Sequence, residues 1–449
     1  MLCDMVRNDF VKILLAAALS LTAVCAYAQT ATTGTYGAYS PYSIYGVGEI
    51  SRGGNTQTRS MGGIGVATRN RRMINVSNPA AVAVRDTLSF MADFGLYEDN
   101  KIYTQGDMKG AKNTFNINDI VLSFPIWRSS AFMVGLSPFS DVGYSFSSKE
   151  TDEDKLAHVG NITYDSYGDG SLYQLFAAAG ATFWKRFSVG AEAIYYFGKL
   201  DRNSNETFES STYRSINYGT RLNLHGFTGK FGVQYDQRLT PDVSMTLGAT
   251  YRLGTKLRGY ENHFAYASQS SVVDTIKAMT YTDTLAGASN APRIADEIGV
   301  GISFRGSDRW SVEFNYLRSD WRNSNFESRK GFAAAGKATF TSSVSQSFRA
   351  GFEFVPNRND IRYYMKRVTY RGGIYYDQDY FRMNGRRVDS YGVTLGVTLP
   401  VFRWYNGISL GVDMGHRGAS DGIMVGETYF KFVVGFSIHD IWFQKPKYN

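Results

Sequence analysis

The sequence predicts an all-β fold, a 14-stranded antiparallel transmembrane β-barrel. Three observations predict it: an aromatic and glycine excess, a period of two in the apolar residues past residue 85, and connections that alternate between short and long. The 449 residues include 31 Tyr, 30 Phe and 46 Gly but only 9 Pro. With 20% charged residues and a mean hydropathy of −0.27, the chain is neither a polytopic helical membrane protein nor a disordered or collagenous one.

The chain opens with an apolar run over residues 13–24, too short for the about 20 residues a membrane helix needs. Arg7 and Lys12 precede it and Ala26-Tyr27-Ala28 follows, which is the layout of a cleaved secretory signal peptide over residues 1–28. Asp4 and Asp9 offset those two cations, so translation starts at either Met1 or Met5. The two cysteines, Cys3 and Cys25, leave with this segment, which removes disulfides and thiolate metal sites from consideration. The formal charge of +8 is scattered rather than massed. It suits anionic outer-membrane lipid and lipopolysaccharide, and an exported chain has no nucleic-acid partner.

Residues 29–86 form an extension that is irregular and mostly polar over 42–84, and the barrel occupies 87–449. Within the barrel, Ile408, Leu410, Val412 and Met414 alternate with Ser409, Gly411, Asp413 and Gly415. Val243, Met245, Leu247, Ala249 and Tyr251 alternate with Ser244, Thr246, Gly248, Thr250 and Arg252. One face is steadily apolar and the other small or polar, as for a strand between lipid and a wet lumen. A soluble sandwich alternates too, but its outward face is polar. Fourteen segments begin near Leu88, Phe115, Ala131, Ser171, Phe187, Tyr218, Val243, Ile294, Trp310, Ser347, Val368, Val388, Gly407 and Thr428. Long polar loops are expected at 98–113, 147–170, 199–217, 261–292, 322–346, 377–387 and 416–427, with short turns between. Trp127, Trp184, Trp310, Trp321, Trp404 and Trp442 suit interfacial girdles.

Two strands are irregular. In the sixth, Leu222 and Leu224 fall out of phase with Phe227, Phe231 and Val233, which predicts a bulge near Gly226. In the third, Pro138 cannot donate to a ladder, so the strand kinks or breaks over Pro138-Phe139-Ser140-Asp141.

Ahead of the first strand stand Gly62-Gly63-Ile64-Gly65 and Asn78-Pro79-Ala80. This glycine-rich turn and Asn-Pro-Ala stop, directly before a fourteen-strand barrel with a broken third strand, resemble the FadL/TodX family of outer-membrane transport proteins. The resemblance covers nearly the whole exported chain and implies a hatch folded inside the lumen, with Gly62, Gly63, Gly65, Asn78, Pro79 and Ala80 as its motif. It also implies a lateral opening at the third strand, with a ligand path along Pro138, Phe139, Ser140, Asp141, Tyr144 and Phe146. Arg69, Arg71 and Arg72 depart from the family's acidic hatch. The opening at 40–49 and the ending at 441–448 look like the FadL-like barrels of Bacteroidetes-type bacteria, some of which are PorV-like partners of secretion machines.

Glu192, Arg252, Glu297, Glu313, Arg349, Glu353, Arg371 and Asp413, with Lys230 and Lys431, fall on the inward parity. Near balance of sign predicts a lumenal network of ion pairs rather than a selective pore. No histidine pair has metal-ligand spacing, and neither a GxSxG elbow nor an HExxH motif occurs, so no enzyme, metal or cofactor is expected. The reading favoured by sequence is a passive outer-membrane channel for hydrophobic compounds of the long-chain fatty-acid kind, with lateral exit near the third-strand kink. The alternative is a non-transporting accessory barrel docking a secretion or membrane-protein assembly complex.

Overall fold

The computed structural model describes residues 38–441 except 87–88, 128, 211, 270–271, 286, 333–337, 402–405 and 420–423, and it leaves the side chains of 268–279 and 441 undescribed. The expected signal peptide, both cysteines, Trp404, Trp442 and the ending at 442–448 lie outside the described residues.

Fourteen antiparallel wall positions form a closed ring. They are β1 (Ser89–Gln105), β2 (Met108–Trp127), β3 (Ser130–Lys149), β4 (Ile162–Phe183), β5 (Phe187–Phe208), β6 (Ser215–Arg238), β7 in two pieces (β7a Val243–Arg252, β7b Arg258–Gln269) and β8 in two pieces (β8a Val272–Thr284, β8b Glu297–Gly306). Then follow β9 (Trp310–Asp320), β10 (Val344–Phe354), β11 (Thr369–Met383), β12 (Arg386–Pro400), β13 (Gly407–Arg417) and β14 (Gly426–Ile441). Pairing of β1 with β14, from Ser89 opposite Ile441 to Thr104 opposite Gly426, closes the ring. The outward faces carry exposed Phe227, Val233, Leu247, Val300, Ile374 and Val393, the apolar belt of a barrel solvated by acyl chains.

Several expectations need correction. β6 has no bulge at Gly226: its ladder with β5 runs in one register from Tyr235 opposite Phe187 to Ile216 opposite Glu206. What switches is the greasy face. Phe227, Phe231 and Val233 point to lipid in the lower half, whereas Leu222 and Leu224 are buried in the upper lumen. The irregularity belongs to the neighbour, where β6 pairs with β7a up to Lys230–Arg252 and resumes with β7b at His225–Arg258. Much of the expected loop sequence is strand as well. Residues 98–113 are the upper part of the β1–β2 hairpin, turning at Gly106, and β5 and β6 extend through most of 199–217. Polar alternation marks strands that project into water on both faces as readily as it marks loops. Trp127, Trp184 and Trp310 are exposed at the short-turn rim, but Trp321 is buried in the lumen and joins no girdle.

The short-turn rim is the periplasmic one by the general layout of such barrels. One connection there is long: residues 355–368 between β10 and β11, expected as a tight turn, carry a short helix Tyr364–Arg367.

The extension runs down the lumen. Near the outer half, the Ser40 amide donates to Gly143 O at 2.7 Å and the Tyr103 hydroxyl to Tyr39 O at 2.7 Å. At the bottom, the 3-10 turn Pro79–Ala83 packs on β4 and β5 before β1 begins. Between them lies a short helix, Thr56–Arg59, whose cap Asn55 accepts from the Thr58 amide at 3.1 Å.

Candidate functional site: the lumen and its hatch

The wall's glycines make the seat for the extension. A Cβ on Gly232 would overlap Asn78 Oδ1, one on Gly190 the backbone of Pro79, and one on Gly373 the Gly62 amide. No side chain fits at those three positions, so the small-residue parity of β5, β6 and β11 is a shape requirement of the segment they surround.

The motif residues supply the other half of the fit. Gly62 adopts φ +72°, its amide donating to Thr394 Oγ1 at 2.7 Å. Gly63, at φ +76°, presents its carbonyl to Arg349 Nη1 at 3.0 Å. The Gly65 and Ala67 amides donate to the buried Glu313 carboxylate at 3.0 and 2.9 Å. Asn78 folds its own turn, accepting from the Ala80 amide at 3.0 Å and donating to Val66 O at 2.7 Å. Arg69, one of the cations that depart from the family pattern, is buried and donates to Ser188 Oγ at 2.7 Å.

Charged wall residues fall into wall–wall and wall–extension pairs. Arg371 meets Glu353 at 2.8 Å and Arg252 meets Glu297 at 3.6 Å. Asp413 instead takes Arg52 of the extension at 2.7 Å, and Asp377 takes both Arg52 at 3.3 Å and Arg349 at 3.5 Å. Lys431 lies 3.0 Å from Asp99. Glu192 stands opposite Lys230 in the β5–β6 register, and its Oε2 has no hydrogen-bond partner among the described residues. Sequence reasoning missed Arg52, Asp377 and Arg417. Arg417 is the centre of an upper cluster, 2.7 Å from Asp379, 3.6 Å from Glu49 and 3.7 Å from Glu427. The inward parity of β11 and β13 was the available signal for Asp377 and Arg417; nothing in the extension's pattern marked Arg52. Among these charges lies a chamber of about 280 Å³, lined in part by Arg52, Asp141, Lys230, Glu297, Asp377 and Lys431.

At the third strand, the β2–β3 ladder ends at Ile120 opposite Leu136. Above it, the described pairing of β3 is with β4 and with a two-residue strand of the extension, Glu49 opposite Asp141 and Ile50 opposite Ser140. The β3–β4 register slips between Pro138 and Ser140, skipping Phe139. The Phe139 ring is buried against Tyr196 at 4.6 Å, Tyr144 is buried, and Phe146 is exposed. Extension residues therefore line the inner edge of β3 where β2 has left it. Above them, Tyr45 packs with Phe326, Phe340, Tyr380 and Phe381, an aromatic cap formed by the extension, the loop after β9 and the top of β11.

On the periplasmic rim, the 355–368 connection exposes Ile361 (91%), Tyr363, Tyr364 and Met365. Lys366 sits 4.6 Å from the Tyr363 ring and Arg367 5.1 Å from that of Tyr364. The Asp360 carboxyl is held below the usual carboxylate range, first by the Tyr363 amide that donates to it at 2.7 Å.

The sequence model of a family described as BamG matches residues 10–449. The chain belongs to the BamG family. No curated protein matches it. This BamG-family chain is similar in fold to the Pseudomonas putida toluene transporter TodX, at TM-score 0.57 and 13% identity over 88% of this chain and 100% of that one. It is likewise similar to the Ralstonia pickettii toluene transporter TbuX, at TM-score 0.56 and 15% identity over 86% and 98%. A Pseudomonas aeruginosa FadL homologue gives TM-score 0.55 and 12% identity over 88% and 100%. The FadL/TodX resemblance thus holds as a likeness of fold, while the family assignment is BamG.

Proposed function

We propose that this BamG-family chain is a plugged accessory barrel of the outer membrane, docked to a larger membrane-protein assembly complex, rather than an open conduit. The observation that carries this reading is the bonding of the extension to the wall on many sides, by Arg52, Glu313, Asn78 and the Glu49–Ile50 strand, around a charge-lined chamber. An alkyl chain gains about 25 cal/mol per Å² only where it meets apolar surface. Stripping water from the charged groups that line the chamber to admit it costs more than that. The exposed apolar and basic 355–368 connection offers the docking face on the periplasmic side.

The test is extraction from native membranes in mild detergent, followed by mass spectrometry of what remains bound. Recovery in fixed stoichiometry with a large outer-membrane complex supports the reading, and a lone monomer overturns it.

A second reading is favoured by one specific observation, the parting of β2 from β3 above Ile120–Leu136 beside Pro138. In that reading the chain is a passive channel for hydrophobic compounds, in keeping with the toluene transporters TodX and TbuX that share its fold, with exit sideways past Phe139. Whole-cell uptake of labelled toluene and of a long-chain fatty acid decides it: uptake that depends on the protein supports a channel, and equal uptake in its absence removes it.

A further inference from the structure

We propose that Glu261, His263 and Asp283, at the outer end of the barrel, form a site for a divalent transition-metal cation of the Zn²⁺ class. The β7b–β8a hairpin brings the three together. Glu261 pairs directly opposite Asp283, and His263 follows two residues along the same face. One ligand atom from each lies within 4.8 Å of the others. His263 Nε2 is 3.2 Å from Glu261 Oε1 and 3.8 Å from Asp283 Oδ2. Ligands held at ~2.0–2.1 Å in a tetrahedron stand about 3.3 Å apart, so these atoms need only small movements to close on one ion.

Two further observations point to a ligand. Glu261 is 1% exposed, and its Oε2 has no hydrogen-bond partner among the described residues; the guanidinium of Arg329 comes no nearer than 3.8 Å. A buried carboxylate oxygen that accepts no hydrogen bond and has only this longer ion pair is under-coordinated. The imidazole is also set for ligation: Nδ1 lies 3.1 Å from Thr220 Oγ1, and the ring stacks on Tyr281 at 4.5 Å. With Nδ1 donating to Thr220, the Nε2 lone pair faces two carboxylates, an arrangement that a metal ion between them satisfies. One imidazole nitrogen and two carboxylate oxygens suit Zn²⁺, with water in the fourth position. Asp283 is half exposed and gives the ion a way in. Glu261 Oε1 also accepts from the Gly331 amide at 2.7 Å, so the ion would tie the hairpin to the loop that caps the lumen.

The probe is metal alone. Detergent-solubilised protein is stripped with EDTA, then titrated with Zn²⁺ by calorimetry and with Co²⁺ by visible absorption. One equivalent is expected, with the strong bands of tetrahedral Co²⁺. His263→Ala and Asp283→Asn are each expected to weaken binding at least tenfold, and Thr220→Val about tenfold through loss of imidazole orientation. Asp283→Asn alters only a half-exposed side chain, so heat-modifiable migration on gels checks that the barrel is intact. Absence of binding by the parent protein, or undiminished binding by His263→Ala, overturns the assignment. The outcome is independent of whether the barrel docks a complex.

Discussion

Arg52 of the extension donates to Asp413 of β13 at 2.7 Å, and its guanidinium lies 3.5 Å from the centre of the Tyr375 ring. One cation of the plug is thereby held by two neighbouring wall positions, with Asp377 as a third contact at 3.3 Å. Removing it takes the cation from Asp413 and leaves Asp377 with Arg349 alone. Arg52→Ala is expected to destabilise the folded barrel by about 3 kcal/mol, as for other buried pairs broken on one side. Thermal unfolding in detergent, followed by loss of heat-modifiable migration, checks this. An unchanged midpoint would show that the pair is idle.

The glycine seat predicts an opening mutation. Gly232→Leu drives a side chain into the space that Asn78 occupies, while the ladders of β6 with β5 and β7a need nothing from the extension. The wall is expected to persist and the plug to shift. Planar-bilayer recordings should show closed parent protein and a conducting variant; a silent variant that is still folded would contradict this.

Asn78 is expected to behave as a buried cap. Asn78→Ala loses the acceptor for the Ala80 amide and the donors to Val66 and Val233, and a lost cap of this kind costs about 1–2 kcal/mol. Asn78→Asp keeps the acceptor but sets a charge against two carbonyls, so it should be the worse of the two. Denaturant midpoints of the two variants give the order.

For the docking face, Ile361→Asp combined with Tyr364→Asp is expected to release the chain from its complex while leaving barrel stability within about 0.5 kcal/mol, as for exposed positions. Retained stoichiometric recovery with the double variant would move the docking face elsewhere.

Strand number, pairing direction and the inward glycine parity were legible in the sequence, because a wall between lipid and lumen imposes a period of two on every segment. Legibility failed where that contrast is absent. Above the membrane both faces of a strand are wet, so 98–113 and 199–217 read as loops although most of their residues pair as strands. Leu222 and Leu224 read as a bulge because the upper lumen is itself greasy, filled by the aromatic cap. Gly62 and Asn78 were visible as a motif, whereas Arg52 was not, since a lone arginine in an irregular segment carries no periodicity. Glu261, His263 and Asp283 meet only once the hairpin register is known.

A plugged accessory barrel can do its work without any movement of the plug, and a covalent lock tests that directly. Ser60 of the extension faces Gly411 of β13, where a Cβ on the glycine would stand 3.6 Å from that of the serine. This spacing is within the roughly 3.5–4.5 Å of a disulfide. The only native cysteines are Cys3 and Cys25, so Ser60→Cys with Gly411→Cys gives one defined lock. Recovery with the partner complex and growth complementation should be measured for the oxidised and the reduced protein. Equal values in the two states are expected; loss on oxidation that returns with reductant would mean that the hatch opens, and would contradict the plugged-barrel reading in favour of transport.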